Sequence, residues 1–510
     1  MKRTRRTTGG LSLIAALAFF LALVLGNIGL HYFAEFSNRS HLLNADALYL
    51  PTLFKDILAD GGHIREWFLT PAPYFFPDYP VYLVAYGMGD TPFSQILAFA
   101  LIQTVLALGA MVLVARAAVR VHALLAASTI LAVLVWLALS VGEPFNFIFN
   151  SAFHYGAFVA AVCAVALWIR FTCEMNDRIN SGLLVTLAVV SFATTLSDNL
   201  FIVQFFAPLL ATQIFFAIAT RDFSFRREGA AVLVAACGVL GALSYPWLVE
   251  KQTRVAAEIG TGKMGSNITD LYGLVATAVA NQPILGIILA AYFCIVFQAI
   301  FRAFRGGKER VPFHWIAIFS LASMGATAGA LALTTNIPMA GRYLIAALSW
   351  PVIVVVLFLA NVLRERFLPL ALGITALALV AMGWSSSQWI RQNGLKKYYP
   401  QEISCIDAAL ENEGLRHGIA AYWDAKTLQN LSRLELQVAQ YFEDLGEMRW
   451  ITSERYFRST YDFAIIPKHA EPPYRIPLDA LIHLNGAPRR VVTCEHSQVV
   501  IYGKDQMRVR

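Results

Sequence analysis

The chain has 510 residues, of which 57% are hydrophobic and only 14% are charged. A soluble domain carries about 25% charged residues, so this composition excludes an ordinary soluble enzyme and predicts a polytopic membrane protein. The formal net charge of +7 does not point to nucleic acid, because the basic residues lie in short connections between apolar runs.

Apolar runs recur along the first three quarters of the chain. About eleven of them reach the roughly 20 residues that a transmembrane helix requires. They lie near 11–30, 94–115, 121–141, 155–171, 181–197, 199–219, 229–249, 282–302, 313–333, 342–361 and 367–385. The first run is too long for a signal peptide and no A-x-A cleavage site follows it, so we expect an uncleaved anchor.

Basic residues mark one side of the predicted bundle. Every second connection is basic, near residues 2–6, 116–120, 170–178, 221–227, 302–310 and 364–366. The positive-inside rule assigns these connections to the cytoplasm. The N-terminus is then cytoplasmic and the C-terminus extracytoplasmic, as an odd number of spans requires.

The last quarter of the chain has ordinary soluble composition. Residues 1–385 are predicted to form the membrane domain, 386–400 a linker, and 401–510 a small extracytoplasmic α/β domain. Within that domain we expect a helix at 403–413, strands at 417–423, 434–442 and 461–467, and a hairpin at 490–502. No catalytic motif is visible there, which favours a lid or docking domain.

Two cysteines, Cys405 and Cys494, fall in this C-terminal domain. In an extracytoplasmic compartment, a disulfide between them is the economical prediction. The alternative is a pair of free buried thiols.

A long aromatic loop follows the first predicted span, from about 31 to 91. Long ordered loops commonly carry function. Residues 49–59 have the spacing of an amphipathic helix lying in the membrane interface. Trp67, Phe68, Tyr74, Phe75 and Phe76 are suited to the headgroup region.

Two carboxylates of this loop are candidate catalytic groups. Asp46 follows the first span closely, and transfer of a sugar to a hydroxyl needs a carboxylate that removes the proton. Its alternative role is a helix N-cap. Asp78 lies between prolines that restrict the backbone. It is expected to position the acceptor or to bind a divalent metal ion together with Asp46, and its alternative role is a turn residue.

Other polar residues fall near the predicted outer ends of the spans. Arg342, with Tyr343 beside it, and Lys251, Arg254 and Lys263 are candidates for holding a lipid phosphate; the alternative for the cations is contact with lipid headgroups. Ionisable groups at membrane depth tend to be functional. Three further residues are therefore predicted to line the substrate site: Glu143, His154 and Asp198. An interfacial turn for Asp198 and plain packing for His154 stay open.

These motifs together resemble a known family. The segment Asn44-Ala45-Asp46-Ala47-Leu48-Tyr49, with Gly61-Gly62, Trp67 and Phe75-Phe76-Pro77-Asp78-Tyr79-Pro80, looks like the first outer loop of GT-C glycosyltransferases that use polyprenyl-phosphate sugars. The resemblance implies that Asp46 is the catalytic base, Asp78 a second loop acid and Arg342 a phosphate contact. Some members carry adjacent acidic pairs in this loop. Asp46 is flanked by alanines, so metal dependence stays open.

The sequence therefore predicts a membrane-embedded, inverting glycosyltransferase that is mainly α-helical, and the resemblance implies the GT-C type. Its donor would be a polyprenyl-phosphate sugar carrying a hexose or pentose. The resemblance further implies an envelope glycan or lipid as the acceptor, at the periplasmic face of a bacterial inner membrane. The alternatives are a flippase or transporter for lipid-linked sugars and an O-antigen-type polymerase or ligase that uses a later outer loop at 250–281.

Overall fold

The structure is a computed structural model. It describes residues 4–35, 42–119, 121–173, 180–253, 258–305, 311–395, 399–469 and 473–509. Some basic connections of the orientation argument lie partly outside these residues, as do Arg254 and part of the predicted linker.

The membrane domain is a bundle of α-helices. In chain order these are α1 (Thr4–Glu35), α2 (Tyr49–Leu58), α3 (Asp78–Met88), α4 (Pro92–Ala118), α5 (Ala123–Ser140), α6 (Tyr155–Cys173), α7 (Ser181–Ser197), α8 (Ala207–Thr220), α9 (Phe225–Leu248), α10 (Met264–Asn281), α11 (Pro283–Arg305), α12 (Pro312–Leu333), α13 (Ile345–Leu363) and α14 (Phe367–Asn393). One short strand, β1 (Trp67–Phe68), lies in the long loop.

The helices follow the apolar runs. Among the described residues, nine stretches are long and apolar enough to cross a membrane. The last of these, Gly341–Asn393, contains both α13 and α14, and the shorter α7 is also apolar. Each predicted run thus falls on helical structure, and the run near 199–219 consists of a π-helical turn, Ile202–Phe206, followed by α8. The mainly α, polytopic class is confirmed. Helix α14 continues to Asn393, into the segment predicted as linker.

One apolar core runs through the bundle. Helices α5, α6 and α13 are buried along most of their length, whereas only about a third or less of the residues of α9 and α11 are buried. Trp168 and Trp350 are fully buried members of this core. An apolar outer surface is what a bilayer solvates, so α9 and α11 form the rim of the domain.

The C-terminal domain is α/β, as expected. It contains α15 (Gln401–Leu410), β2 (His417–Ala420), α16 (Tyr422–Leu431), β3 (Gln437–Gln440), β4 (Thr452–Ser453), β5 (Phe463–Pro467), α17 (Leu478–Asn485), β6 (Arg490–Thr493) and β7 (Ser497–Ile501). Five strands form a mixed sheet in the order β3-β2-β5-β7-β6. The predicted hairpin is β6–β7, and the predicted disulfide Cys405–Cys494 is present.

One expectation for this domain is wrong. The strand predicted at 417–423 ends at Ala420, and Tyr422 begins α16. The apolar run is continuous across this boundary, so periodicity alone does not mark where the strand ends.

The C-terminal domain packs on the long loop. Strand β1 pairs antiparallel with β4, Trp67 opposite Ser453 and Phe68 opposite Thr452. The Arg455 guanidinium lies 3.2 Å from the carboxylate of Asp56. These contacts join the loop of the membrane domain to the C-terminal sheet.

The environment of the loop therefore differs from the expectation. Helix α2 forms as predicted, but its Leu50 and Leu53 are buried in protein, as is Trp67, whose indole N–H donates to Asp56 at 2.7 Å. These side chains pack in one apolar cluster with residues of α3 and α4 and with Ile451 of the C-terminal domain. They contact protein, where the sequence had suggested lipid headgroups.

The disulfide should contribute measurably to stability. It joins residues 89 positions apart, and restricting an unfolded loop of that length is worth about 2–5 kcal/mol. The double variant Cys405→Ala/Cys494→Ala should therefore melt at a lower temperature than the wild type in detergent. Cys294→Ala, at a free and exposed cysteine, is the control. Equal melting temperatures for the double variant and the wild type would contradict the prediction.

Candidate active site

Asp46 lies in the turn between α1 and α2. Its Oδ2 atom lies 3.1 Å from Nη1 of Arg342, and its Oδ1 atom accepts a hydrogen bond from the hydroxyl of Tyr422. The N-cap position of α2 is Leu48, with no side-chain cap. The capping alternative for Asp46 is therefore wrong, and both oxygens of this carboxylate are held by side chains distant in sequence.

Arg342 reaches Asp46 from the start of the α13 segment. It belongs to a short 3-10 turn, Gly341–Leu344, that directly precedes α13. Its guanidinium carbon lies 5.4 Å from the centroid of the Tyr343 ring and 5.9 Å from that of Phe153. The Nε atom is buried and has no hydrogen-bond partner among the described residues. A guanidinium has five N–H donors, so donors remain for an anionic ligand.

A second polar group lies beside Arg342. Nδ1 of His154 is 2.7 Å from Oδ2 of Asp198, and Nε2 is 3.4 Å from the hydroxyl of Tyr74. The His154 ring also lies against that of Tyr343, with centroids 5.4 Å apart. His154 and Asp198 thus form a buried pair against Tyr343, next to Arg342. Asp198 also lies in a turn directly after α7, where its Oδ1 atom accepts the backbone N–H of Leu200. A part for either residue in substrate binding stays a prediction.

Asp78 anchors the segment that carries His154. Its Oδ2 atom accepts from the backbone N–H of Ala152 at 2.8 Å, and a Cβ atom added at Gly156 would lie 2.1 Å from its Oδ1. Burial raises the pKa of Asp78 to about 7, with a smaller contribution from Asp198. In the described part of the chain this carboxylate makes no contact with Asp46. Its direct part in catalysis stays a prediction.

The other predicted cations lie elsewhere. Lys251 pairs with Glu454 of the C-terminal domain, so its ammonium contributes to docking. Lys263 and Glu143 line an open groove of about 1130 Å³ along α10. Glu143 borders Gly341, where an added Cβ atom would lie 2.7 Å from its Oε2. Arg254 is outside the described residues. Of the predicted phosphate cations with a described position, Arg342 is the one in contact with Asp46.

The C-terminal domain also contributes residues beside Asp46, which the sequence did not indicate. Tyr422 and Lys426 are four residues apart on α16, which places them on one face of the helix. Lys426 is 1% exposed, and its Nζ lies 4.3 Å from the centroid of the Tyr422 ring and 3.5 Å from Oε1 of Gln440. The wrong strand assignment at 417–423 hid this spacing.

The electrostatics of Lys426 are unusual for a lysine. Burial lowers its pKa to about 7, and the nearby Asp46 carboxylate opposes that change. The charged group that acts on Lys426 is the Asp46 carboxylate, which is itself paired with Arg342. The neutral side chains in contact with Lys426 are Tyr422 and Gln440. Burying the charged form of a lysine with so few hydrogen bonds lowers the stability of the folded state.

The arrangement at Asp46 does not fit a metal ion. Both of its oxygens accept from donors, one of them cationic, and Asp78 is held by other groups. Among the described residues, one cluster of potential ligands is found, His417, Asp462 and Asp505 in the C-terminal domain. The Asp462 carboxylate accepts backbone N–H groups there.

The buried Lys426 side chain should lower the stability of the folded protein. Between its folded pKa of about 7 and its ordinary value of 10.5, the unfolded chain binds more protons than the folded one. The free energy of unfolding therefore falls by about 1.4 kcal/mol for each unit by which the pH is lowered across this window. Lys426→Met should raise the melting temperature in detergent, most at pH 7 and less towards pH 9.5. Lys468→Met, at an exposed lysine, should show no such gain. A lower melting temperature for Lys426→Met at pH 7 would contradict this account.

Comparison with known proteins supports the fold. No protein-family model matches this sequence, and no curated protein is similar enough to count as a match. In fold, the chain is similar to ArnT from Cupriavidus metallidurans bound to undecaprenyl phosphate, with a TM-score of 0.58 and 11% identity over 97% of this chain and 99% of that one. For apo ArnT the TM-score is 0.55 and the identity 12%, over 98% of both chains. The chain therefore has an ArnT-like fold over nearly its whole length.

Proposed function

We propose that this protein is a membrane glycosyltransferase that moves a sugar from a polyprenyl-phosphate donor to a hydroxyl group. The observation that carries the proposal is the Asp46–Arg342 pair, a carboxylate and a guanidinium 3.1 Å apart where the long loop meets the helix bundle. The ArnT-like fold adds support, since one ArnT structure holds undecaprenyl phosphate. Transfer to a hydroxyl from a sugar phosphate needs one base and one cationic group, and this pair supplies both.

In the proposed reaction, Asp46 is the general base. The acceptor oxygen attacks the anomeric carbon on the face opposite the phosphate, so the configuration inverts. The new C–O bond forms as the bond to phosphate oxygen breaks, and the acceptor proton passes to Asp46. The products are the glycosylated acceptor and the free polyprenyl phosphate. No general acid is needed, because the phosphate leaves as a stable anion.

Arg342 is proposed to hold the donor phosphate. Its planar guanidinium is suited to paired hydrogen bonds with phosphate oxygens. The charge that builds up on the leaving phosphate would be stabilised by donors already in position. Binding of the phosphate would also draw Arg342 away from Asp46 and free an oxygen of that carboxylate for the acceptor proton.

The remaining details are part of the same proposal. The donor sugar would be a hexose or pentose, and the acceptor a glycan or lipid of the bacterial cell envelope at the periplasmic face of the inner membrane. The Cys405–Cys494 disulfide is in keeping with an oxidising compartment for the C-terminal domain. Asp78, with a pKa raised to about 7, is the alternative base.

A flippase is less well supported. Transporters favour ionisable residues near the middle of the bilayer. The polar residues of this site lie in loops and at helix ends, such as Asp46 before α2 and Arg342 before α13. For a polymerase or ligase, the later loop offers Lys251 and Lys263, of which Lys251 is paired with Glu454.

The role of Asp46 as the general base can be tested with purified protein in detergent. A panel of polyprenyl-phosphate sugars is combined with envelope-lipid acceptors, and turnover is compared between the wild type and Asp46→Asn. We expect turnover to fall by at least about 100-fold in the variant, with binding of polyprenyl phosphate retained. Asp60→Asn, in the same loop, is the matched control. Equal turnover of Asp46→Asn and the wild type would remove Asp46 as the base and direct the search to Asp78.

The contact of Arg342 with the donor phosphate is tested separately, by measuring the KM for the donor. Arg342→Lys keeps a positive charge but loses the fork of donors, so the KM for the donor should rise about 10-fold or more. Arg366→Lys, at the opposite end of α13, should leave the KM unchanged. A donor KM equal to that of the wild type in Arg342→Lys would argue against the phosphate contact.

A further inference from the structure

We propose that the C-terminal domain forms part of the active site, with Tyr422 and Lys426 as positioning residues that hold the Asp46 carboxylate in its working orientation. This inference rests on the proposed function, because it assigns a role to residues that act through Asp46. It gives the C-terminal domain a specific task, beyond that of a lid or docking domain.

The contact between Tyr422 and Asp46 is direct. The phenol hydroxyl donates a hydrogen bond to Oδ1 of Asp46, and these residues are 376 positions apart in the sequence. Burial raises the pKa of Tyr422 well above its ordinary value, and the Asp46 carboxylate raises it further. The hydroxyl therefore keeps its proton across the physiological range and serves as a permanent donor.

The two oxygens of Asp46 then have different tasks. Oδ1 is held by Tyr422, whereas Oδ2 faces Arg342 at 3.1 Å. If the donor phosphate draws Arg342 away, Oδ2 becomes free while Oδ1 stays fixed. The geometry points to Oδ2 as the atom that accepts the proton from the acceptor hydroxyl.

Lys426 supports Tyr422 from behind. Its Nζ lies 4.3 Å from the centroid of the Tyr422 ring, within the range of a cation–π interaction. The side chain is 1% exposed, with a 3.5 Å contact to Gln440 and no carboxylate in direct contact with it among the described residues. A deeply buried lysine beside the Tyr422 ring and near the Asp46 carboxylate is a candidate functional group.

The domain that carries these residues is fixed against the loop that carries Asp46. Nδ2 of Asn430, also on α16, lies 2.7 Å from Oγ1 of Thr52 on α2. A small apolar cluster joins Ala45, Tyr422 and Met448 next to Asp46. The position of Tyr422 relative to Asp46 is thus determined by the docked interface. A flexible side chain alone would not hold it there.

The test measures transfer kinetics for full-length Tyr422→Phe and Lys426→Met in detergent. We expect the turnover number to fall about 10- to 100-fold in Tyr422→Phe, the range for loss of a hydrogen bond to a charged group. In Lys426→Met it should fall about 3- to 30-fold, the range for loss of a buried cation–π contact. The donor KM and polyprenyl-phosphate binding should stay unchanged. The double variant should lose no more than the worse single variant, because both act through one contact.

Matched controls remove one interaction elsewhere in the same domain. Tyr502→Phe removes a hydroxyl bonded to the Gly486 carbonyl, and Lys468→Met removes an ammonium bonded to the Cys494 and Glu495 carbonyls. Both should keep wild-type turnover. A melting curve for each variant shows that it is folded, and Lys426→Met is expected to fold at least as well as the wild type.

The outcomes separate the two proposals. If Asp46→Asn is inactive while Tyr422→Phe and Lys426→Met turn over like the wild type, the positioning role is wrong and the proposed function stands. If Tyr422→Phe and Lys426→Met lose donor binding in step with turnover, the two residues have a general structural role, and the positioning role is likewise wrong. If the wild type transfers no sugar, or Asp46→Asn is fully active, the proposed base fails and the positioning role fails with it.

Discussion

The contact of one carboxylate with two side chains from distant parts of the chain organises the rest of this structure. Asp46 belongs to the loop after the first helix, Arg342 to the turn before α13, and Tyr422 to the C-terminal domain. A charge removed from water is stable only when it is paired and hydrogen-bonded. The loop, the helix bundle and the C-terminal domain therefore each contribute one member of the contact that satisfies Asp46.

The surroundings of this contact contain groups that are costly to bury. Lys426 is almost fully buried with its pKa lowered to about 7, and Asp78 is buried with its pKa raised to about 7. Neither arrangement favours folding, since burial penalises the charged form of both groups. Strain of this kind concentrates where a protein acts on a ligand, which is why these residues are informative about function. The apolar core of α5, α6 and α13 supplies the stability that tolerates it.

Much of the architecture was predictable, because a bilayer leaves few choices. The backbone polar groups of a span must be satisfied within the helix, so apolar runs such as 94–115 identified helices directly. The α/β class of the C-terminal domain, its β6–β7 hairpin and the Cys405–Cys494 pair were predictable for similar local reasons. The end of β2 was not, because an apolar run does not show where a strand gives way to a helix.

The candidate site was predictable in its membrane part and not beyond it. Charged residues such as Asp46 and Arg342 stand out against an apolar sequence, so their number and place along the chain are visible without a structure. Tyr422 and Lys426 lie in a segment of ordinary composition, where a tyrosine and a lysine carry no signal.

The sequence by itself determined that this is a helical membrane protein with an acidic, aromatic loop and a separate C-terminal domain. Only the tertiary structure decided that α2 is covered by protein rather than lipid, that Lys251 serves docking, and that Asp46 is held from both sides. The physical reason is that local pattern fixes which face of a helix is apolar. The partner of a polar group hundreds of residues away is fixed only when the whole chain packs.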